Sequence, residues 1–237
     1  MYNSKNLAKM IDHSILHPTM TDQDLVDGCN LAMKYHVASV CVKPYAVKKA
    51  HELMRDSDVV VGAVIGFPHG NSSIEVKAFE TETAIRDGAV EIDMVINIGK
   101  ALGGDWNYIE KEVSEIVRIT KKNNAILKVI FENDYMPDDE HKIRLCRICS
   151  KLKVAYVKTS SGYGFVKGSD GKYSYRGATE HDIELMRKNS DPEVGVKAAG
   201  GIRTLDEMLK MVEKGSTRIG ATATKAILEE AVKRFGK

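Results

Sequence analysis

Short apolar runs recur along this chain. Each is followed by a loop and then by a stretch in which apolar residues return every three or four positions. The runs lie near 11–15, 37–42, 59–66, 90–97, 126–131, 154–158, 194–198 and 217–221. Residues 59–66 are apolar or glycine throughout, as expected of a parallel strand covered on both faces. Between the runs the period changes from two to nearly four. Leu205, Met208, Leu209 and Val212 share one helix face, and Ile109, Val113, Ile116 and Val117 do so after the break at Gly103-Gly104-Asp105. Ser72 with Glu75, Thr179 with Asp182 and Thr204 with Glu207 have capping-box spacing, and Thr21 with Asp24 resembles it. Gly88 and Gly215 stand where helices should end, just before the next strand. Eight strand–helix units without a Pro/Gly/Ser-rich linker predict a single (β/α)8 TIM barrel over residues 1–237. An open doubly wound sheet is the alternative, but the Gly-rich fingerprint expected after its first strand is missing.

Composition narrows the partners. The 237 residues carry 35 basic and 33 acidic side chains, interleaved, for a net charge of +2. No block of like charge suggests a nucleic-acid arm or a polybasic membrane patch. No apolar run approaches the roughly 18 residues of a membrane span, and the first residues lack the apolar core of a signal peptide. A cytoplasmic enzyme is the expectation. Cys146 and Cys149 fall in a helical pattern and read as buried thiols. Cys41 closes an apolar run and reads as a small core residue close to a pocket.

The candidate chemistry sits at the ends of the runs. Lys158 follows Tyr156-Val157 and precedes Thr159-Ser160-Ser161-Gly162, while Lys197 follows Val194-Gly195-Val196 and precedes Ala198-Ala199-Gly200-Gly201. Each reads as the last inward position of a buried strand, where an ammonium is costly. In a barrel the active-site groups occupy the C-terminal strand ends, which here gives Asp12, Cys41, Asp93, Lys128, Lys158 and Lys197. Two lysines on neighbouring strands, about 4.8 Å apart, bring their amines within roughly 5 Å. At an effective dielectric of about 20 they repel by roughly 3 kcal/mol. Such a pair can hold one amine neutral and nucleophilic, as a Schiff base requires. Simple ion pairing with carboxylates is the competing reading, and Asp93 could equally be a counter-ion. Gly200 and Gly201 after the seventh run, with Gly220 and Thr222 where the eighth turns into a helix, have the makings of a phosphate cradle.

The motifs Asp12-His13, Gly66-Phe67-Pro68-His69-Gly70, Glu91-Ile92-Asp93, Leu127-Lys128, Val157-Lys158-Thr159-Ser160-Ser161-Gly162, Val196-Lys197-Ala198-Ala199-Gly200-Gly201-Ile202-Arg203 and Arg218-Ile219-Gly220-Ala221-Thr222 resemble deoxyribose-phosphate aldolase, in order and across the chain. The resemblance implies a barrel that cleaves 2-deoxy-D-ribose 5-phosphate reversibly to D-glyceraldehyde 3-phosphate and acetaldehyde. Lys158 would form the Schiff base, with Lys197 and Asp93 as a proton-relay pair; Asp12, Lys128 and Cys41 would support them. Gly162 would join the phosphate cradle. The residues themselves do not choose between Lys158 and Lys197. The expected partner is a small sugar phosphate, with no cofactor and no metal, and a homodimer or higher homo-oligomer is left open.

Two features depart from that pattern. A polar stretch, 163–176, follows Gly162, and Tyr163 stands where some members place a phosphate-binding lysine. Thr222-Ala223 stands where two adjacent hydroxyls can occur. Residues 165–176 are expected to form a flexible lid whose Lys167, Lys172 and Arg176 reach the phosphate, or else a solvated loop. Another phosphate-binding barrel aldolase or isomerase, and a non-catalytic sugar-phosphate sensor, are the other functional readings. The dispersed histidines lack metal-ligand spacing, and His13 and His69 are expected to be satisfied structural groups.

Overall fold

The structure, a computed structural model, describes residues 2–236. Ten strands form: β1 (Ile11–Ile15), β2 (Ser39–Val42), β3 (Val60–Ile65), β4 (Glu91–Val95), β5 (Ile126–Ile130), β6 (Tyr156–Lys158), β7 (Val166–Lys167), β8 (Tyr173–Ser174), β9 (Gly195–Ala199) and β10 (Arg218–Ala221). Eight of them close a barrel in the order β1-β10-β9-β6-β5-β4-β3-β2, with every pairing parallel. The strands match the eight apolar runs, trimmed by a residue or two at most ends. β7 and β8 stand apart as an antiparallel pair, so the 163–176 stretch carries a short hairpin.

The helix signals locate the helix starts. Thr21 and Thr204 each complete a reciprocal capping box with Asp24 and Glu207. Thr179 accepts from the Asp182 amide. The expected cap at Ser72 lies one residue later: Ser73 is extended and accepts from Val76 N, which moves Glu75 to the second helical position. Gly88 and Gly215 follow the caps Asp87 and Lys214 with φ of 112° and 107°, values that a residue with a Cβ rarely adopts. Strand side chains facing outward pack with the helices in one continuous apolar core.

One ion pair is buried in that outer layer. Lys77, on the helix Ile74–Arg86, donates to Gly70 O at 2.8 Å, Val95 O at 2.7 Å and Glu112 Oε1 at 2.6 Å. Glu112, on the helix Trp106–Lys122, accepts from Asn97 N at 2.9 Å. The pair pins the turn after β3 to the end of β4. Among the described residues no helix is long and apolar enough to cross a membrane.

Candidate active site

Parallel register places the chemistry. Lys158 lies directly across from Lys197, Lys197 from Arg218, and Asp93 from Lys128. Because side chains alternate along a strand, these positions all face inward. Asp93 Oδ2 accepts from Lys158 Nζ and from Lys197 Nζ, both at 2.7 Å, so the two amines lie within twice that distance of each other. Lys197 also reaches Asp12 Oδ2 at 2.5 Å. Lys128 sits between Asp12 and Glu91 at 2.6 Å each, with Asp93 Oδ1 at 3.1 Å. Arg218 contacts Asp12 at 2.6 Å and Glu91 at 3.3 Å, and Ser39 donates to Asp12 at 2.7 Å. Asp12 and Lys128, expected at strand ends, lie within β1 and β5 rather than at their C-terminal ends and are fully buried, as Asp93 is within β4. They reach the site from inside the barrel because its strands are staggered.

The network therefore holds four basic groups (Lys128, Lys158, Lys197, Arg218) against three carboxylates (Asp12, Glu91, Asp93). A buried net charge is costly, so one base is best left neutral, and the contacts single it out. Lys197, Lys128 and Arg218 each touch at least two carboxylates; Lys158 touches one. Burial pushes the Lys158 amine down. Asp93 pulls it back up and Lys197 pushes it down further, leaving it below the ordinary lysine value. For Lys197, burial acts in the same direction, but Asp12 and Asp93 outweigh it and the ammonium is favoured. Lys128 behaves as Lys197 does, under Asp12, Asp93 and Glu91. Burial drives the Asp93 carboxyl up, yet Lys128, Lys158 and Lys197 together hold it well below the carboxylate range. The paired-lysine repulsion is thus real but secondary: desolvation is the larger cause.

Lys158 opens onto a cavity of about 370 Å³ at the C-terminal end of the barrel. Gly162, Gly200, Gly201, Gly220 and Thr222 line it, together with Arg203. Gly162, Gly200 and Gly201 have φ of 89°, 91° and 83°, conformations that leave backbone amides free to face a ligand.

A family model described as DeoC/LacD family aldolase matches residues 6–230. The chain belongs to this aldolase family. It is 45% identical over 235 residues to a Rhodopirellula baltica protein named deoxyribose-phosphate aldolase, covering 99% of this chain and 93% of that one. A protein of the same name from Thermococcus gammatolerans is 43% identical over 228 residues, covering 95% and 96%. The solved tetrameric deoxyribose phosphate aldolase of Aeropyrum pernix superposes with a TM-score of 0.85 at 29% identity, over 96% of this chain and 91% of that one.

Several groups in this DeoC/LacD aldolase escaped the sequence reading. Glu91 shares its strand face with Asp93 two residues later, and Arg218 stands two before Gly220, so the alternation that exposed Asp93 also pointed to both. Glu132 left less trace. It follows β5 in a left-handed conformation (φ 57°), is fully buried, and accepts from Ser161 N at 3.0 Å and from the Ser161 hydroxyl. Burial raises its carboxyl to about 7.

Among the other expectations, those for His13 and Cys41 hold and those for the hairpin cations and His69 need correcting. Lys167, Lys172 and Arg176 do not line the cavity; the hairpin faces it instead with Tyr163, Phe165 and Tyr175. Lysine and arginine heads favour water, and the Arg176 side chain is 75% exposed although its Nε lies 3.8 Å from the buried carboxylate of Asp134. His13 is buried, bonded to Thr224 Oγ1 at 2.8 Å, and lowered to about 4 by burial; His69 is exposed rather than satisfied. Cys41 packs with Leu16 and Val64 beside the site, its thiol raised to about 11 by burial. Asp139, His181 and Asp182 are spaced like metal ligands. The Lys142 ammonium, at 3.0 Å from Asp139 and 2.6 Å from Asp182, already supplies the positive charge between those two carboxylates.

Proposed function

We propose that this chain, one barrel domain, cleaves 2-deoxy-D-ribose 5-phosphate reversibly to D-glyceraldehyde 3-phosphate and acetaldehyde through an imine on Lys158. The observation that carries the reading is the charge imbalance: of the four bases in the network, Lys158 alone has a single carboxylate partner, is held below its ordinary value and lines the cavity. The neutral Lys158 amine adds to C1 of the open-chain sugar and expels water, giving a protonated imine. The C3 hydroxyl proton leaves through water to the Asp93–Lys197 pair, the C2–C3 bond breaks, and its electrons reduce the iminium to an enamine. Glyceraldehyde 3-phosphate departs. The pair returns the proton to C2, and water hydrolyses the imine to acetaldehyde and free amine.

Asp12, Lys128, Glu91 and Arg218 fix the relay beneath. They keep Asp93 ionised and Lys197 charged, so that proton movement is confined to groups next to the substrate. The phosphate is read into the turn formed by Gly162, Gly200, Gly201, Gly220 and Thr222, close to the start of the helix Thr224–Phe235, whose N-terminal amides favour an anion. Arg203 supplies the charge that Tyr163 lacks. The Aeropyrum pernix relative is described as tetrameric, and we read this chain as a cytoplasmic homo-oligomer.

Borohydride reduction in the presence of acetaldehyde, followed by peptide mapping, tests the assignment. An N-ethyl group on Lys158 is expected; one on Lys197, or no adduct, overturns it.

A further inference from the structure

Glu132 combines two unfavourable features. Its side chain is fully buried, and among the described residues no cation lies at ion-pair distance from it. Its backbone is left-handed, with φ 57° and ψ 63°, a region disfavoured for any residue with a Cβ. It precedes the short helix Asn133–Tyr135, but its side chain caps nothing there. Two ladder bonds lock it in place: Phe131 N donates to Lys158 O and Asn133 N to Thr159 O, both at 2.9 Å. Backbone strain and a buried carboxyl without a counter-ion, together beside an active site, call for a role that offsets them.

The chain that follows Lys158 wraps this carboxyl. Oε1 accepts from Ser161 N at 3.0 Å, and Oε2 accepts from the Ser161 hydroxyl. Ser161 Oγ in turn accepts from Tyr163 N at 3.0 Å. A Cβ on Gly164 would stand 2.7 Å from Glu132 Cδ, so the Gly164 backbone lies against the carboxyl. The amides on either side of Gly162 are thus both engaged, while Gly162 N has no acceptor among the described residues. Gly162 lines the cavity together with Lys158. A Cβ at position 162 would meet nothing within 4 Å, so it is the φ of 89° that favours glycine there, not crowding.

We propose that Glu132 is a positioning residue for phosphate selectivity: it holds residues 161–164 so that the free Gly162 amide meets the substrate phosphate while Lys158 meets C1. Glu132 does not itself line the cavity. It acts through Ser161, fixing the spacing between the nucleophilic amine and an anion-binding amide carried on the same strand end. A donor held in place beforehand binds an anion without first having to be ordered. A carboxyl suits the task because it accepts the Ser161 amide and hydroxyl at once. The inference rests on the aldolase reading above and adds a specificity residue to it.

The test compares kcat/KM for 2-deoxyribose 5-phosphate and for unphosphorylated 2-deoxyribose in the native enzyme, Glu132→Leu and Glu132→Gln. Leucine removes every acceptor, and the ratio of the two kcat/KM values should fall roughly tenfold or more, the scale of one hydrogen bond to a charged group. The loss should appear in KM for the phosphorylated sugar, and inorganic phosphate should weaken as an inhibitor by a similar factor. Glutamine keeps an acceptor for Ser161 N and should restore most of the ratio. Equal losses on both sugars, or a ratio in Glu132→Gln as low as in Glu132→Leu, overturns the role. Should Glu132→Leu fail to fold, Gly164→Ala carries the comparison: its methyl displaces the carboxyl, and the same fall in the ratio is expected. Cleavage of 2-deoxyribose 5-phosphate by the native enzyme with the ratio unchanged in the variants removes only the role of Glu132. A native enzyme that cleaves neither sugar removes the aldolase reading as well.

Discussion

Two of the places where this barrel buries lysine invite comparison, Lys77 outside the sheet and the Lys128, Lys158 and Lys197 cluster inside it. Lys77 and Glu112 are both wholly buried, but the charges cancel and each of the three ammonium protons has an acceptor. Burial pulls Lys77 down and pushes Glu112 up, and each partly offsets the other's shift. The inner set has the same chemistry with one base too many. There the surplus falls on Lys158, at the top of the stack and next to the cavity. Burial of a lysine is therefore not itself a sign of catalysis; what sets the proposed nucleophile apart is a deficit of counter-charge at the one amine of the network that lines the cavity.

Breaking the surplus amine should have the largest effect. Lys158→Met is expected to lower kcat/KM for deoxyribose 5-phosphate by about 10⁴-fold or more, the scale for losing a covalent nucleophile. The three remaining bases would then match the three carboxylates, so the urea midpoint should stay near that of the native enzyme. Unfolding of this variant would show that Lys158 is structural, like Lys77.

The outer pair should respond in the opposite way. Lys77→Met removes the counter-ion of the buried Glu112, which costs about 3–5 kcal/mol and is read as a lower urea midpoint, while kcat per folded molecule is retained. The double replacement Lys77→Met, Glu112→Leu should recover most of that stability. A loss of kcat without a loss of stability would erase the distinction between the two sets.

Glu132 is a buried carboxyl with no cation at ion-pair distance. Its carboxyl lies at about 7 when folded against an ordinary value of 4.5, with burial as the main cause. The native state then holds a proton that the unfolded chain has already released. Stability should fall as pH rises from about 4.5 to about 7, by about 3 kcal/mol in total. In Glu132→Gln this component disappears, so urea midpoints of native and variant protein should diverge with rising pH, the variant being the more stable near pH 8. Parallel curves would place the carboxyl at its ordinary value.

Lys197→Leu sharpens the inner network with a smaller effect, about 10²-fold at neutral pH. It removes a positive neighbour from Lys158 and frees Asp93 to attract it, so the Lys158 amine rises and the pH–rate profile moves to higher pH. An unshifted profile would show that burial alone sets the Lys158 amine.

The alternation of apolar residues and the caps at Thr21, Thr179 and Thr204 determined the barrel, since burial of one strand face or one helix stripe is written directly in residue spacing. The same pattern exposed Asp12, Asp93, Lys128, Lys158 and Lys197 as charges set where apolar residues belong. It did not rank them, because rank depends on which carboxylates lie nearby, and these come from strands remote in sequence: Asp12 and Lys197 are 185 residues apart. Only barrel closure joins β1 to β10 and adds Arg218 and Glu91 to the network. The Lys77–Glu112 pair was hidden for a similar reason, since charges on helices normally face water and only helix packing removed these two from it. The hairpin showed the limit of composition: its lysines and arginine suggested a phosphate clamp, but solvation keeps those heads outside, and the fold turns its aromatic rings toward the cavity.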